Sequence, residues 1–155
     1  MKRFLIAIII FMAATTGLRA QEYNTGIGLR LGTGYGFTIN HFLNKRASLE
    51  GLLMTRWRGF DITGLYEVHA RAFDVDHLNW FYGFGAHIGF FNGHYVEWGT
   101  PGSTYGVFGI DGIIGFEYTF EDAPINLGID LKPALNLIGY TGFWPDVAIS
   151  VRYVF

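Results

Sequence analysis

The strongest constraint on the fold of this chain is a strict alternation of side-chain character along its last segment. Apolar or aromatic residues occupy every second position there, at Ile149, Val151, Tyr153 and Phe155, whereas Arg152 lies between them. Successive side chains of a β-strand point to opposite faces, so this segment has one apolar face and one polar face. A strand that contacts lipid on one side and other side chains on the other has this pattern. The segment therefore predicts a strand of a transmembrane β-barrel.

The same alternation recurs between turn residues along most of the chain. It divides the sequence into eight segments: 25–31, 35–43, 47–57, 60–70, 78–90, 105–120, 125–137 and 146–155. Eight strands of about 10 residues suit a single domain of this length, and an even number places both chain ends on one side of a membrane. The predicted fold class is all-β, an eight-stranded antiparallel up-and-down transmembrane β-barrel.

Two positions leave the strand count and the register open. The alternation from Ile27 to Ile39 runs across the short link at 32–34, so the first two segments are either two strands or one long strand. One long strand would give seven strands, a number that bacterial barrels avoid. Pro133 lies inside the seventh segment. Because a closed barrel has no edge to accommodate a missing N–H donor, a local bulge is predicted there.

The first 20 residues are predicted to be a cleaved signal peptide, followed by one barrel domain over 21–155. Lys2 and Arg3 precede an apolar run that ends at Ala14, and at about 11 residues this run is too short to cross a bilayer as a helix. The chain has no cysteine, so neither a disulfide nor a lipid-modified cysteine is expected. Without the signal peptide, eight basic residues face 13 acidic ones, a formal net charge of −5. This charge excludes a basic nucleic-acid-binding surface.

The polar face of the segments is predicted to line the barrel interior. An eight-stranded barrel has an interior that side chains just fill, so a plugged polar network is predicted rather than an open pore. Charged groups in such an interior must be paired to offset their desolvation. The predicted members of this network are Arg30, Glu50, Arg56, Asp61, Glu67, His69, His87, Asp111, Glu117, Asp130, Lys132 and Arg152.

Alternation alone does not decide which face points outward. A soluble barrel of the lipocalin kind would enclose the apolar face around a lipid ligand. The polar face here has nearly balanced charges and many glycines instead of a dense coat of Lys and Glu. That composition, together with the predicted signal peptide and aromatic residues near the segment ends, favours the membrane orientation. The predicted localisation is the outer membrane, with membrane lipid as a partner.

Four segments of the predicted strands carry a resemblance to a known family. They are 83–89 (GFGAHIG), 109–118 (GIDGIIGFEY), 132–137 (KPALNL) and 151–155 (VRYVF). In this order and spacing they resemble small Gram-negative outer-membrane barrel proteins of the OmpA/OmpX class. The resemblance implies a barrel inserted by the barrel-assembly machinery through its last strand, with Tyr153 and Phe155 as the assembly signal. It supplies no catalytic residues.

No cofactor, metal ion or catalytic residue is predicted. Glu67, His69 and His87 share the inward face, a conceivable acid/base or metal constellation, but no zinc-type spacing supports it. A lipid-modifying enzyme is the main alternative, and it would need a nucleophile beside a histidine. The serines after residue 20 are Ser48, Ser103 and Ser150, and none lies two positions from a histidine on the same strand face.

Segments 92–104 and 139–145 are predicted to be the larger extracellular loops. They carry Tyr95, Trp98, Tyr140, Phe143 and Trp144. Exposed aromatic residues can bind glycans or a partner surface, so the predicted function is either a membrane-structural role or a surface interaction, adhesion or recognition, with an extracellular ligand. A monomer is predicted.

A hairpin between the third and fourth segments is predicted to turn at Arg58-Gly59, because glycine supplies the positive φ that a two-residue turn requires. This register places Trp57 opposite Phe60. It also places Arg56 opposite Asp61 on the inward face, where the two side chains are near enough to pair.

Overall fold

The computed structural model describes residues 23–56, 58–96 and 99–155. Its strands are β1 (Thr25–Leu31), β2 (Tyr35–Phe42), β3 (Ala47–Arg56), β4 (Gly59–Arg71), β5 (Leu78–Asn92), β6 (Thr104–Thr119), β7 (Ile125–Ile138) and β8 (Gly142–Val154). Each strand pairs antiparallel with the next, and β1 pairs with β8 to close the barrel. The all-β, eight-stranded, up-and-down fold class is confirmed, and β1 and β2 are separate strands. The predicted signal peptide lies outside the described residues.

The strand connections are divided between the two ends of the barrel. Connections 43–46, 72–77 and 120–124 lie at the same end as the start of β1 and the end of β8, which we name the terminal mouth. The connections after β1, β3, β5 and β7 lie at the other end, the distal mouth. The longest of these, 93–103, joins β5 to β6. Within the described part of the chain no helix has the length and apolar character needed to cross a membrane.

Most apolar side chains of the strands point outward and most charged side chains point inward. On β7, for example, Ile129 is 52% exposed, whereas the neighbouring Asp130 and Lys132 are 4% and 6% exposed. The alternation is the same on the other strands. This distribution is the reverse of that in a water-soluble protein, where charged side chains are rarely buried without a reason.

One wall of the interior is apolar, which the sequence did not predict. Leu52, Met54, Leu65, Phe81 and Ile113 form a buried cluster inside β3 to β6. The prediction that a polar face lines the barrel interior is therefore wrong for this wall. The apolar wall fills part of the interior without polar partners, and the buried charged residues of these same strands, such as Glu50, Asp61 and Glu117, lie on either side of it along the barrel.

The β3–β4 hairpin turns one residue earlier than predicted. Arg56 pairs with Gly59 and Met54 with Asp61, so the prediction that Arg56 lies directly opposite Asp61 is wrong. The reason is that Arg58 itself takes the left-handed conformation, with φ of 52°, and Gly59 begins the next strand. Arg56 and Asp61 still face the interior, on a diagonal rather than as a direct pair.

The bulge predicted at Pro133 lies elsewhere. Pro133 pairs in register with Pro145 of β8, and the β6–β7 register is the same on both sides of it. The register shift falls between Phe108 and Gly109, nearer the distal mouth. The proline is therefore accommodated without a change of register, and the prediction is wrong in its position.

Replacing Gly85 with alanine is expected to destabilise the barrel by about 1 to 3 kcal/mol, the usual cost of overpacking. A Cβ at Gly85 would lie 1.9 Å from the carbonyl oxygen of Gly64 on β4, so the two strands would have to separate. Urea titration of the free energy of unfolding measures the effect. Gly64→Ala is the matched control, because a Cβ there meets no atom within 4 Å. Equal losses in the two variants would contradict this packing.

Candidate functional site

The structure places all twelve residues of the predicted polar network on the inward face. Eleven of them are buried, and Arg56, near the distal mouth, is half-buried. Arg30 and Arg152 have 0% and 1% of their surface exposed. Buried charges of this kind require partners, and the contacts divide them into three groups along the barrel.

Arg152 on β8 is the centre of the group nearest the terminal mouth. Its guanidinium forms an ion pair with Glu50. It also donates two hydrogen bonds, from Nε to the Thr38 hydroxyl at 3.2 Å and from Nη1 to Asn126 Oδ1 at 3.1 Å. Its Nη1 also lies 3.9 Å from Glu117. Four strands, β2, β3, β6 and β7, are thus connected to β8 by one side chain.

His69 on β4 is the second hub of this group. Its Nδ1 lies 2.9 Å from Glu117 Oε1, and its Nε2 lies 2.9 Å from Ser48 Oγ and 3.4 Å from Glu67 Oε2. Phe42 and Phe81 contact the ring, with centroids at 4.7 and 5.3 Å. The imidazole is therefore fixed by polar and aromatic contacts at once.

Tyr23, just before β1, covers this group at the terminal mouth. Its hydroxyl donates to Glu117 Oε2 at 3.1 Å, and its ring packs edge-on against Phe42 with centroids 5.2 Å apart. Burial and the nearby Glu117 carboxylate raise the pKa of Tyr23, so its phenol stays protonated and remains a donor. The sequence did not single out this residue because it precedes the first alternating segment.

Arg30 on β1 holds the middle group together. It forms ion pairs with Asp130 and, through Nη2 at 3.1 Å, with Asp146. Asp146 Oδ1 also accepts from the backbone N–H of Thr33 at 2.9 Å and from its hydroxyl at 2.8 Å. Asp146 was missed in the sequence, although it is the first residue of the predicted eighth segment and has the same parity as Arg152.

The third group lies near the distal mouth. His87 Nδ1 lies 2.7 Å from Asp111, His87 Nε2 lies 2.8 Å from Asn136, and Lys132 Nζ donates to Asp111 at 2.9 Å. Beside it is a cavity of about 30 Å³, whose lining includes Arg56, Asp61, Lys132 and Trp144. This volume admits a water molecule or two, and no solute as large as a sugar or an amino acid.

Ser48, His69 and Glu117 form a hydrogen-bond chain of the Ser–His–Glu type, with both links at 2.9 Å. They come from β3, β4 and β6, so a search along single strands did not reveal them. Ser48 has 0% of its surface exposed, and a substrate carbonyl must reach the nucleophile for acyl transfer. We interpret the chain as a structural connection between strands.

The histidine constellation considered in the sequence is divided between two groups. His69 contacts Glu67 near the terminal mouth, whereas His87 contacts Asp111 near the distal mouth. Among residues 23–56, 58–96 and 99–155, no three or more acidic, histidine or cysteine side chains form a group that could hold a metal ion.

The aromatic residues predicted for the distal loops have different positions. Tyr95 lies in the 93–103 connection, with the guanidinium of Arg58 4.7 Å from its ring centroid. Tyr140 lies in the connection after β7, and Trp98 lies outside the described residues. Phe143 and Trp144 belong to β8, so their assignment to a loop is wrong. The strand extends this far because Leu135 and Ala134 of β7 continue to pair with them.

The end of the chain completes the seam between the first and last strands. The Phe155 N–H donates to the Thr25 carbonyl at 2.9 Å, and the Thr25 N–H donates to the Phe155 carbonyl at 3.0 Å. The rings of Tyr153 and Phe155 lie 6.2 Å apart. The two residues predicted as an assembly signal therefore lie where the barrel closes.

Comparison of the chain with protein-family models and with curated proteins gave no match. The fold and its interior therefore define the class: this is a closed, eight-stranded β-barrel protein whose interior is filled by paired charges and a small apolar cluster.

Proposed function

We propose that this protein is an integral outer-membrane β-barrel, closed to solutes, with a membrane-structural or surface-interaction role. The observation that carries the proposal is the outer wall, which exposes large apolar side chains on all eight strands. Examples, one from each strand in order, are Leu29, Phe37, Leu53, Ile62, Phe84, Ile110, Ile129 and Val151. A continuous apolar surface of this kind is costly in water and favourable in lipid.

The charged side chains inside the barrel favour a membrane barrel, with lipid around its outer wall, over a soluble barrel that encloses a lipid ligand. A lipocalin-like barrel would need an apolar interior around its ligand, whereas Arg30, Glu67 and Arg152 fill this one. Closure also satisfies the backbone hydrogen bonds of every strand, as a bilayer requires. Aromatic pairs near the terminal mouth, such as Tyr118 with Phe120 and Tyr153 with Phe155, suit a membrane interface.

The filled interior favours a structural role over solute transport. The charged groups occupy the space that a channel would need, and the cavity near the distal mouth accommodates little more than water. The distal mouth supports a surface-interaction role, because Tyr95 is exposed with Arg58 stacked on its ring. Tyr and Arg are frequent anchors of binding surfaces.

Membrane location is tested by cell fractionation combined with gel mobility before and after heating. We expect the protein in the outer-membrane fraction, with a folded form that migrates differently from the heated form. Recovery in the soluble fraction would contradict the proposal. Mass spectrometry of lipid A from cells with and without the protein addresses the enzyme alternative, since a changed acyl pattern would favour a lipid-modifying activity.

Deleting Phe155 is expected to slow insertion and to leave a protease-sensitive species. The deletion removes two backbone hydrogen bonds to Thr25 at the seam and the aromatic residue that the proposed assembly machinery would recognise. Pulse-labelling followed by protease digestion of cells measures the delay. Phe155→Tyr, which keeps the backbone bonds and an aromatic ring, is the control. Undiminished folding of the shortened protein would count against the assembly role.

A further inference from the structure

The group near the terminal mouth holds more carboxylates than cations. It contains three glutamates, Glu50, Glu67 and Glu117, with Arg152 and His69, and all five are buried. Arg152 pairs with Glu50 and lies near Glu117, and His69 contacts Glu117 and Glu67. Even with both nitrogens of His69 protonated, two cations face three carboxylates. One negative charge is left over, and an uncompensated buried charge is costly.

Two carboxyl oxygens in this group lack a hydrogen-bond donor. Glu50 Oε1 accepts from Arg152 and from Thr38, and Glu67 Oε2 accepts from Asn40 at 2.9 Å. The other oxygen of each carboxyl, Glu50 Oε2 and Glu67 Oε1, is buried without a donor. A buried acceptor without a donor costs free energy.

The same two carboxyls are neighbours. Ser48 of β3 pairs with Glu67 of β4, so Glu50 lies one inward position further along β3, on a diagonal from Glu67. Diagonal neighbours on one face of a sheet are within reach of long side chains, so the carboxyl groups of Glu50 and Glu67 can meet inside the barrel. Two carboxyl groups in contact in a buried site cannot both be ionised without strong repulsion.

We propose that Glu67 binds a proton in the folded barrel and donates it from Oε1 to Oε2 of Glu50. One proton gives both orphan oxygens a partner and cancels the remaining negative charge. Glu50 is the acceptor because its other oxygen already accepts from Arg152 and Thr38. The barrel interior thus contains a proton-binding site formed by two strands.

The surrounding groups are consistent with this assignment. Arg30 of β1 is engaged by Asp130 and Asp146, and Asp130 of β7 adds negative charge to the neighbourhood. Tyr23 is neutral and donates to Glu117. The side chains that β2 and β5 contribute around the group carry no charge, and they are Thr38, Asn40 and Phe81.

Infrared spectroscopy of the barrel with ¹³C-labelled glutamate tests the proposal directly. We expect wild-type protein at neutral pH to show the C=O band of a protonated glutamic acid, shifted by the label, and Glu67→Gln to lose it. Glu121→Gln, which changes an exposed glutamate outside the group, should keep the band. A wild-type protein without the band, or a band that Glu67→Gln leaves unchanged, would overturn the proposal. If Glu67→Gln failed to fold, absence of the labelled band from the wild type would still overturn the proposal.

Stability measurements give a second readout. The amide of Glu67→Gln supplies an N–H donor where the proposal places an O–H, so this variant should unfold at the urea concentration of the wild type. Glu50→Gln should unfold at a lower concentration, because Arg152 loses its charged partner. Equal losses in the two variants would contradict a proton on Glu67.

Discussion

Replacing Arg152 with methionine is expected to lower the free energy of unfolding by about 3 to 5 kcal/mol, the usual loss when one partner of a buried ion pair is removed. The guanidinium is almost completely buried and bonds to Glu50, Thr38 and Asn126. Methionine fills similar space and leaves Glu50 and Glu117 without their shared cation. Urea titration of the protein folded in lipid vesicles, read from the heat-modifiable gel shift, measures the loss.

Arg56→Met provides the matched control. Arg56 is only half-buried, and it lies beside the distal cavity, where water can solvate the groups around it. We expect a loss of at most about 1 kcal/mol for this variant, as for ion pairs that water reaches. Comparable losses of unfolding free energy for Arg56→Met and Arg152→Met would contradict the account, because burial would then not determine how much a charged side chain contributes to stability.

Replacing Ile110 with arginine is expected to destabilise the barrel by about 2 to 4 kcal/mol, the cost of a basic residue on the lipid face at the bilayer midplane. Ile110 lies near the middle of β6 and points outward, with 48% of its surface exposed. Ile129→Arg on β7 should behave alike, since Ile129 also points outward, with 52% of its surface exposed, and lies inside the strand. Unfolding titrations in vesicles measure both losses.

The control for these variants is Thr104→Arg. Thr104 is the first residue of β6 and faces the same way as Ile110, at the distal end of the strand. A charge near the membrane surface costs only about 0 to 1 kcal/mol, so the loss should be small. Little loss at Ile110 and Ile129 would indicate that the outer wall does not contact lipid.

The strands were predictable because alternation is a local property of the sequence. Most predicted segments agree with the strands to within two residues, and β8 is the exception because it begins at Gly142 instead of position 146. The inward position of the charged residues follows from the same parity. β3 was harder to interpret, because the adjacent residues Leu52 and Leu53 are both apolar although they lie on opposite faces of the strand. Parity alone therefore did not show that Leu52 lies inside the barrel.

The contacts between strands depended on register, which single-strand patterns do not contain. A turn that starts one residue earlier, with Arg58 in the left-handed conformation, changed the partner of Arg56. The chain from Ser48 through His69 to Glu117 joins strands far apart in sequence, so no motif with fixed spacing could reveal it. Tyr23 lies before the first strand and gave no periodic signal.

The most direct test of the central claim is the environment of the outer wall in a bilayer. Because the chain has no cysteine, a nitroxide spin label can be attached to a single Cys in Ile129→Cys, with Thr104→Cys as the reference. In lipid vesicles we expect the label at Ile129 to collide mainly with oxygen, which dissolves in lipid, and the label at Thr104 to collide more with a water-soluble nickel chelate. Equal access of the nickel chelate to both labels would contradict a lipid-facing wall.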